Sequence, residues 1–290
     1  MTPGPAHPLT PYPPLIINVA LTGMIPRRET VPDVPVTPEQ IVDDAVACHG
    51  AGATIVHLHA RDADEAPTWK RDVYAEFIPA IRARCPGLVI CVSTSGRTFP
   101  DFDQRADVLD LSGAATPDMA SLTLGSLNFR DGPSVTSLEM VHALAERMAE
   151  RGIKPELEIF DHGMASYASV LLERGLASAP LYANVLLGNP NTAPARASVL
   201  SLLVDELPQG TVWAAAGIGD FQLPANGLAV FMGGHVRIGL EDNRWLDRAT
   251  RTPATNEQLT RRIAELARLA GRRLATVDET RATLGLPPLA

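Results

Sequence analysis

Two hydrophobic patterns alternate along the chain. Short runs of aliphatic and β-branched residues end in Gly, Ser, Thr or Asp, and each is followed by a stretch with apolar residues at i, i+3 and i+4. The runs predict β-strands, and the stretches predict amphipathic helices that cross from one strand to the next. The predicted strands cover residues 15–23, 54–62, 88–95, 119–126, 154–161, 181–188, 211–219 and 235–242.

Signals for helices lie between these strands. Thr37, Pro38 and Glu39 supply an N-cap hydroxyl, a proline at the first position and an early carboxylate, so a helix is expected to begin there. Between residues 101 and 117 helix and strand signals mix. The other predicted helices cover residues 137–151, 164–174, 193–206 and 256–275, the last of which closes the series.

The alternation predicts the fold class. Eight strand–helix units in 290 residues favour an α/β protein with parallel strands closed into a (β/α)8 TIM barrel. An open doubly wound sheet stays an alternative, but the first strand ends in the letters LTGM rather than in the GxGxxG of dinucleotide-binding folds. Residues 1–14 are rich in proline and predict an irregular arm, and residues 15–290 are expected to form a single catalytic barrel domain.

Composition and charge exclude several classes of protein. The formal charge of −8, without a dense block of basic residues, argues against a nucleic-acid partner. No apolar run reaches the roughly 20 residues that span a bilayer, and the N-terminus lacks a secretory signal pattern. The three cysteines form no CxxC pair, which suits a reducing cytoplasm. The arginines of residues 256–275 predict a solvated or subunit-facing surface. We therefore expect a cytoplasmic protein with a small-molecule partner.

Two histidines suggest a metal site. His57 and His59 end the second predicted strand, and residues i and i+2 of a strand face the same way. At the C-terminal mouth of a barrel both imidazoles can reach one ion, and a catalytic zinc takes a third protein ligand and keeps one position open. The candidates for that third ligand are Glu158, Asp161, His162, Glu241 and Asp242.

The eighth predicted strand favours Glu241 as the third ligand. Regular alternation points Arg237, Gly239 and Glu241 into the barrel, with open space expected at Gly239, and barrel closure brings this strand close to the histidines. An ion pair between Glu241 and Arg237 without a metal stays open. Asp242, beside the metal site and near Arg237, is a candidate general base.

Hydroxyl groups end the third and fourth predicted strands. Ser93, Thr94, Ser95, Thr123 and Ser126 can contact substrate oxygens, or they can cap helices. Cys91 lies in the middle of a strand, where a packing role is favoured over a nucleophilic one.

Six segments together resemble one enzyme family. INVALTG, TIVHLHARD, STSGR, MASLTLGSLNF, KPELEIFDHGM and GGHVRIGLEDN occur in the order and spacing of the β-keto acid cleavage enzymes, typified by 3-keto-5-aminohexanoate cleavage enzyme. The resemblance covers nearly the whole chain after residue 14. It implies a (β/α)8 barrel, a homotetramer, and an acyl transfer in which a β-keto acid and acetyl-CoA give acetoacetate and a new acyl-CoA.

The resemblance also implies roles for residues. A zinc-type divalent ion is expected on His57, His59 and Glu241. Asp242 is expected to be the catalytic base, supported by Arg237 and Glu158. The substrate carboxylate region is expected to contact Thr123 and either Ser93 or Ser95.

One segment departs from the family pattern. The loop after the third strand is often glycine-rich in the family, whereas this chain reads Ser95-Gly96-Arg97-Thr98. Arg97 is therefore a candidate contact for CoA phosphates or for an acidic β-keto substrate, and an orientation toward solvent or a neighbouring subunit stays open.

Other functions are compatible with the histidine pair. A metal-dependent hydrolase of the amidohydrolase type carries His-x-His on its first barrel strand, whereas here the pair is on the second. A non-catalytic metal- or ligand-binding barrel is the next alternative. A two-histidine, one-carboxylate iron oxygenase is a lesser one.

Overall fold

Eight parallel strands close into a barrel in the computed structural model, which describes residues 12–288. Each strand pairs in parallel with the next one along the chain, and the eighth pairs with the first. The predicted (β/α)8 fold is confirmed. Numbered in chain order, the strands are β1 (Ile17–Ala20), β2 (Ile55–Leu58), β3 (Val89–Val92), β4 (Met119–Thr123), β5 (Lys154–Ile159), β6 (Tyr182–Leu187), β7 (Val212–Gly217) and β8 (His235–Ile238).

A helix follows each strand, and one further helix comes after the eighth strand–helix unit. The short third helix is continued by two turns of 3₁₀ helix over 107–110 and 113–115, in the region where the sequence signals mixed. The helices are α1 (Pro38–Gly50), α2 (Arg71–Arg84), α3 (Phe102–Ala106), α4 (Leu138–Glu150), α5 (His162–Glu173), α6 (Ala197–Glu206), α7 (Gln222–Met232), α8 (Asn256–Leu269) and α9 (Val277–Leu284).

The apolar interior has two parts. The larger lies between the strands and the surrounding helices, and the smaller includes Ile55, Val89, Cys91, Met119 and Tyr182, which alternate with the first set along the strands. This alternation is what a closed sheet requires when one face meets helices and the other fills the barrel. The packing position expected for Cys91 agrees with its complete burial.

Some elements differ from the prediction at their ends. α8 ends at Leu269, six residues before the predicted end, and α9 was not predicted. Arg272 follows α8 and is buried, where it donates to the carbonyls of Val230 and Gly234 at 2.9 and 2.8 Å, so it does not share the predicted surface role. Arg261 and Arg268 are exposed and pair with glutamates of the same helix.

The predicted N-terminal arm, residues 1–14, lies outside the described residues except for residues 12–14. Within residues 12–288, no helix is long and apolar enough to cross a membrane. Loop hairpins follow β2, β4 and β8 at the C-terminal side of the barrel, and the one formed by Leu127–Phe129 and Gly132–Ser134 forms part of the wall of the central cavity.

Candidate active site

A cavity of about 360 Å³ opens at the C-terminal ends of the strands. Enzymes with this fold carry their chemistry at this end of the barrel. The structure brings ten of the candidate residues together in the wall of this cavity. These residues are His57, His59, Ser93, Ser95, Arg97, Thr123, Glu158, Arg237, Glu241 and Asp242.

Three of these side chains converge on one point. The Nε2 atoms of His57 and His59 are 3.3 Å apart. Glu241 Oε2 lies 3.3 Å from Nε2 of His59 and 3.8 Å from Nε2 of His57. Both imidazoles are almost fully buried, so the three ligand atoms face each other away from bulk solvent.

This cluster fits a divalent cation. The facing Nε2 atoms of two neutral imidazoles repel each other unless a proton or a cation lies between them. Glu241 Oε2 is buried and accepts no hydrogen bond in the described structure. Two imidazole nitrogens and one carboxylate oxygen match the three protein ligands of a catalytic zinc.

A buried carboxylate that the sequence analysis missed orients the first histidine. Nδ1 of His57 lies 2.7 Å from Oε2 of Glu156, a fully buried residue of β5. Burial alone would raise the pKa of Glu156, but the neighbouring His57 lowers it to about 2, so the carboxylate is ionised. An ionised carboxylate only accepts, so Nδ1 of His57 carries a proton, and in the neutral imidazole the lone pair of Nε2 faces the cluster.

Arg237 links the carboxylates of the site. Its Nε donates to Asp242 Oδ2, Nη1 to Glu158 Oε1 and Nη2 to Glu241 Oε1, each at 3.1 Å. Burial would lower the pKa of this guanidinium, but the surrounding carboxylates, with Asp242 first, raise it well above its ordinary value. The arginine therefore stays charged. Glu241 contacts Arg237 through Oε1 and faces the histidines through Oε2, so the ion pair and the three-ligand cluster are present together.

The adjacent carboxylates Glu241 and Asp242 have pKa values shifted in opposite directions. Burial raises the pKa of Asp242 to about 6 against the opposing charge of Arg237. Burial also acts to raise the pKa of Glu241, but His59 and Arg237 outweigh it and lower that pKa well below its ordinary value. Such a separation distinguishes an anionic ligand from a group that can take up and release a proton.

The turn after β8 positions these two acids, and it corrects the expectation about Gly239. β8 ends at Ile238, four residues before the predicted end. Gly239 has φ +130°, and a Cβ there would lie 2.1 Å from the carbonyl oxygen of Ala20. Gly239 therefore leaves no open space below the mouth. It lets two backbones come into contact, which brings Glu241 over β1 toward His59.

The cavity-facing serines accept hydrogen bonds from the protein, whereas the hydroxyl of Thr123 donates one. Ser93 Oγ accepts from Ser95 N at 3.1 Å, and Ser95 Oγ accepts from Arg97 N at 3.3 Å. Each serine proton is thus available to a ligand. Thr123 Oγ1, in contrast, donates to Glu158 Oε2 at 2.7 Å, so its hydroxyl positions that carboxylate.

The remaining candidates lie elsewhere. Thr94 donates to the carbonyl of Ser121 at 2.6 Å, and Ser126 bonds the backbone of Thr136. Asp161 is the N-cap of α5. His162 is exposed and pairs with Glu206 at 3.2 Å, away from the cluster of His57, His59 and Glu241.

A closed barrel with a candidate cation site and an adjacent acid at its C-terminal mouth belongs to the class of α/β-barrel enzymes. Within that class, residues 14–286 match the family model of the beta-keto acid cleavage enzyme. The chain belongs to the β-keto acid cleavage enzyme family, as the resemblance in its sequence implied.

Two relatives cover almost the whole chain. A 3-keto-5-aminohexanoate cleavage enzyme of Fusobacterium nucleatum is 37% identical over 94% of this chain and 98% of its own length. A 3-oxoadipate:acetyl-CoA acetyltransferase of Cupriavidus necator is 39% identical over 95% of this chain and 96% of its own. These relatives support acyl transfer with carbon–carbon bond cleavage rather than the hydrolase alternative.

Solved structures support the fold. ObcA superimposes with a TM-score of 0.76 at 20% identity, over 88% of this chain. The present chain spans 66% of the ObcA chain, just under two thirds of its length. At this identity the likeness concerns the barrel alone.

Proposed function

We propose that this chain is a divalent-metal-dependent β-keto acid cleavage enzyme that converts a β-keto acid and acetyl-CoA into acetoacetate and a new acyl-CoA. The observation that carries the proposal is the cluster of His57, His59 and Glu241 with Asp242 held beside it by Arg237. Family membership and the printed activities of the relatives support acetyl-CoA as the co-substrate.

The metal in this proposal is zinc, held by His57, His59 and Glu241. When bound, the ion would supply a Lewis acid that polarises the β-keto carbonyl. The protein contributes the buried geometry of the ligands. Glu156 fixes the tautomer of His57, and Arg237 restrains the Glu241 oxygen that does not face the histidines.

Asp242 is the proton acceptor. Its Oδ2 is bonded to Arg237, which leaves Oδ1 to accept a proton from the carbon between the carboxylate and the keto group. The resulting carbanion attacks the thioester carbonyl of acetyl-CoA and expels CoA thiolate. The thiolate then attacks the original keto carbonyl, the carbon–carbon bond breaks, and Asp242 returns its proton to the departing acetoacetate carbanion.

The serines orient the substrate, and no protein nucleophile is needed. Ser93 and Ser95 can each donate a proton to the substrate carboxylate, while Thr123 holds Glu158 against Arg237. Burial raises the pKa of the Cys91 thiol well above its ordinary value, which agrees with a packing role and not with nucleophilic catalysis.

The proposal extends to domain organisation, location and assembly. Residues 15–290 would form one catalytic domain preceded by the arm of residues 1–14. Three buried, unpaired cysteines agree with a cytoplasmic location. The family resemblance implies a homotetramer, whose contacts could cover large apolar side chains exposed on the outer helices, among them Leu202 on α6 and Phe231 on α7.

An isotope experiment tests the reaction. A panel of β-keto acids that differ in side-chain charge is incubated with acetyl-CoA carrying carbon-13 in the acetyl group. The label should appear at C3 and C4 of acetoacetate, and the new acyl-CoA should be unlabelled. Release of free CoA without acetoacetate across the panel would mean hydrolysis and would contradict the proposal.

A further inference from the structure

Arg97 holds a fixed position in the wall of the cavity. It follows β3, and its guanidinium carbon lies 4.0 Å from the ring centroid of Phe129. Phe129 in turn meets Phe160 edge to face, with centroids 5.7 Å apart. The side chain of Arg97 is only 20% exposed. Stacking on an aromatic face restricts the guanidinium plane, so its N–H groups are presented in a defined direction.

Few of the N–H groups of this guanidinium bond to the described protein. Among residues 12–288, the side-chain contact found for Arg97 is Nη2 to Asp131 Oδ2 at 3.5 Å, at the upper limit of a hydrogen bond. The Asp131 side chain is 64% exposed, so the pair is well screened and easily exchanged. A guanidinium has five N–H donors, and most of those of Arg97 are left for a ligand.

The other cavity-lining arginines differ from Arg97. Arg237 is fully buried and already donates to three carboxylates, so a substrate anion would have to displace one of them. Arg130 lines the cavity but is exposed to solvent, where a charge pair contributes little. Of the arginines that line the described cavity, Arg97 thus combines partial burial with unused donors.

The rest of the wall suits a hydrocarbon chain. Met24, Ile25, Leu186 and Ile218 line the cavity with the phenylalanine pair. A substrate bound between the candidate metal ligands and Arg97 would place its middle against these apolar groups and its far end against the guanidinium. A volume near 360 Å³ lies at the small end of ligand pockets, which fits a short-chain acid.

We propose that Arg97 determines substrate specificity by binding a second carboxylate at the end of the substrate remote from the β-keto acid group. The preferred substrate class is then a β-keto acid that is also a dicarboxylate. This inference rests on the proposed function. On binding, the substrate carboxylate replaces Asp131 as the partner of Arg97, and Asp131 turns to solvent.

Two probes of equal chain length test this specificity. 3-Oxoadipate ends in a carboxylate, whereas 3-oxohexanoate ends in a methyl group. With acetyl-CoA as co-substrate, wild type should have a kcat/KM for 3-oxoadipate roughly 10- to 100-fold above that for 3-oxohexanoate, the range of a charge-assisted hydrogen-bonded pair. Equal or reversed preference would overturn the inference while the proposed function stands. Turnover of neither probe, nor of any β-keto acid in a wider panel, would count against the proposed function instead.

Substitution then assigns the preference to Arg97. Arg97→Gln should lower the specificity ratio between the two probes by roughly 10- to 100-fold, mainly through KM for 3-oxoadipate, and Arg97→Lys should restore part of it. Asp131→Asn removes the competing anion and should lower that KM. Arg261→Gln, which removes an exposed positive charge on α8, should keep the wild-type ratio.

Three outcomes would refute the assignment. The first is an Arg97→Gln enzyme that keeps the wild-type ratio. The second is an Arg97→Gln enzyme in which KM for acetyl-CoA rises equally with both probes, because that result would place CoA phosphates on Arg97. The third is loss of the preference in Arg130→Gln but not in Arg97→Gln. Circular dichroism and metal content, measured on every variant, separate these outcomes from a folding defect.

Discussion

At the scale of single residues, the site depends on two neighbouring acids with different surroundings. Glu241 faces two imidazoles and a guanidinium. Asp242 pairs with Arg237 alone, and burial raises its pKa to about 6. The same chemical group thus serves as an anion that can hold a metal and as a group that can exchange a proton. Their proposed roles follow from contacts made by the turn after β8.

Replacing the proposed base gives the first prediction. Asp242→Asn keeps the size of the side chain but cannot accept a proton, so kcat should fall by about 10²- to 10⁴-fold. Metal content should stay at the wild-type level because Asp242 is not in the ligand cluster. Steady-state kinetics and metal analysis check both points. Turnover within tenfold of wild type at full metal content would remove Asp242 from the mechanism.

A second prediction compares two glutamates on one strand. Glu156→Gln should weaken metal affinity by about 10- to 100-fold, because His57 would lose the carboxylate that fixes its tautomer. Glu158→Gln is the matched control: its carboxylate contacts Arg237 and Thr123, so turnover should fall while metal affinity changes little. Competition with a chelator measures both affinities. Equal affinities of the two variants would contradict the role of Glu156.

The sequence predicted the residues at the mouth but not the carboxylate behind them. His57, His59, Glu241 and Asp242 end their strands or follow them closely, where polar residues stand out. Glu156 lies within β5, and a charged residue inside a strand is usually assigned to the solvent side. A signal was present, since Glu156 and Glu158 are two residues apart and therefore share the inward face.

At the scale of elements, local signals account for some of the helices, although α9 begins with the side-chain cap of Thr276 and was not predicted. α1 and α4 begin with the side-chain caps of Thr37 and Ser137, and the start of α1 and both ends of α4 were predicted within one residue. α2 and α7 begin without a side-chain cap and contain Pro79 and Pro224, and both were missed. Their stability comes from packing on the barrel, which the local pattern does not contain.

Each predicted strand contains the observed one but is generally longer. Hydrophobic alternation continues into the loops, whereas strand pairing stops where the backbone turns into the mouth. The turn at Gly239 is the clearest case, because its φ of +130° ends β8 although the alternating pattern continues through Leu240. Such a conformation depends on the nearby Ala20 backbone, which is distant in sequence.

This turn gives the third prediction. Gly239→Ala would place a methyl group against the Ala20 carbonyl at an unfavourable φ, so the free energy of unfolding should fall by about 2 to 4 kcal/mol. Metal affinity should fall as well because Glu241 is displaced. In Gly227→Ala, within α7, the new Cβ meets no atom within 4 Å, and this control should be more stable by about 0.5 to 1 kcal/mol. Denaturant unfolding distinguishes the two, and similar stabilities would contradict the account of the turn.

At the scale of the whole molecule, the end of the barrel opposite the mouth has a structural role. His235 begins β8, is buried, and accepts a hydrogen bond from Ile16 N at 3.0 Å through Nδ1. Burial, together with the charge of Arg272, lowers the pKa of His235 to about 3. The folded protein therefore keeps this histidine neutral at pH values where the unfolded chain protonates it.

The fourth prediction concerns stability against pH. Between the unfolded pKa of about 6.5 and the folded value of about 3, the unfolded state binds one more proton at this site, so stability falls as pH falls through that window. The contribution is at most about 1.4 kcal/mol per pH unit. His235→Gln should therefore show a shallower loss of stability from pH 6.5 to pH 4 in urea unfolding. Identical slopes for variant and wild type would contradict a neutral, buried His235.

The charge of the molecule is distributed unevenly. The chain has a formal charge of −8, yet Arg97, Arg130 and Arg237 all line the cavity. The carboxylates of Asp131, Glu158, Glu241 and Asp242 line the same cavity, so a bound divalent ion would be needed to make the charge of the lining positive for anionic substrates. The formal charge of the whole chain therefore has little bearing on the site.

The most direct test of the central claim is a metal titration of turnover. The protein is stripped with a chelator, shown by circular dichroism to be folded, and reloaded with zinc in steps while acetoacetate formation from a β-keto acid and acetyl-CoA is measured. Turnover should vanish in the stripped protein and rise to saturation at one ion per chain, and His59→Ala should not recover it. Full turnover in the stripped protein, or no acetoacetate at any metal content, would contradict a metal-dependent β-keto acid cleavage enzyme.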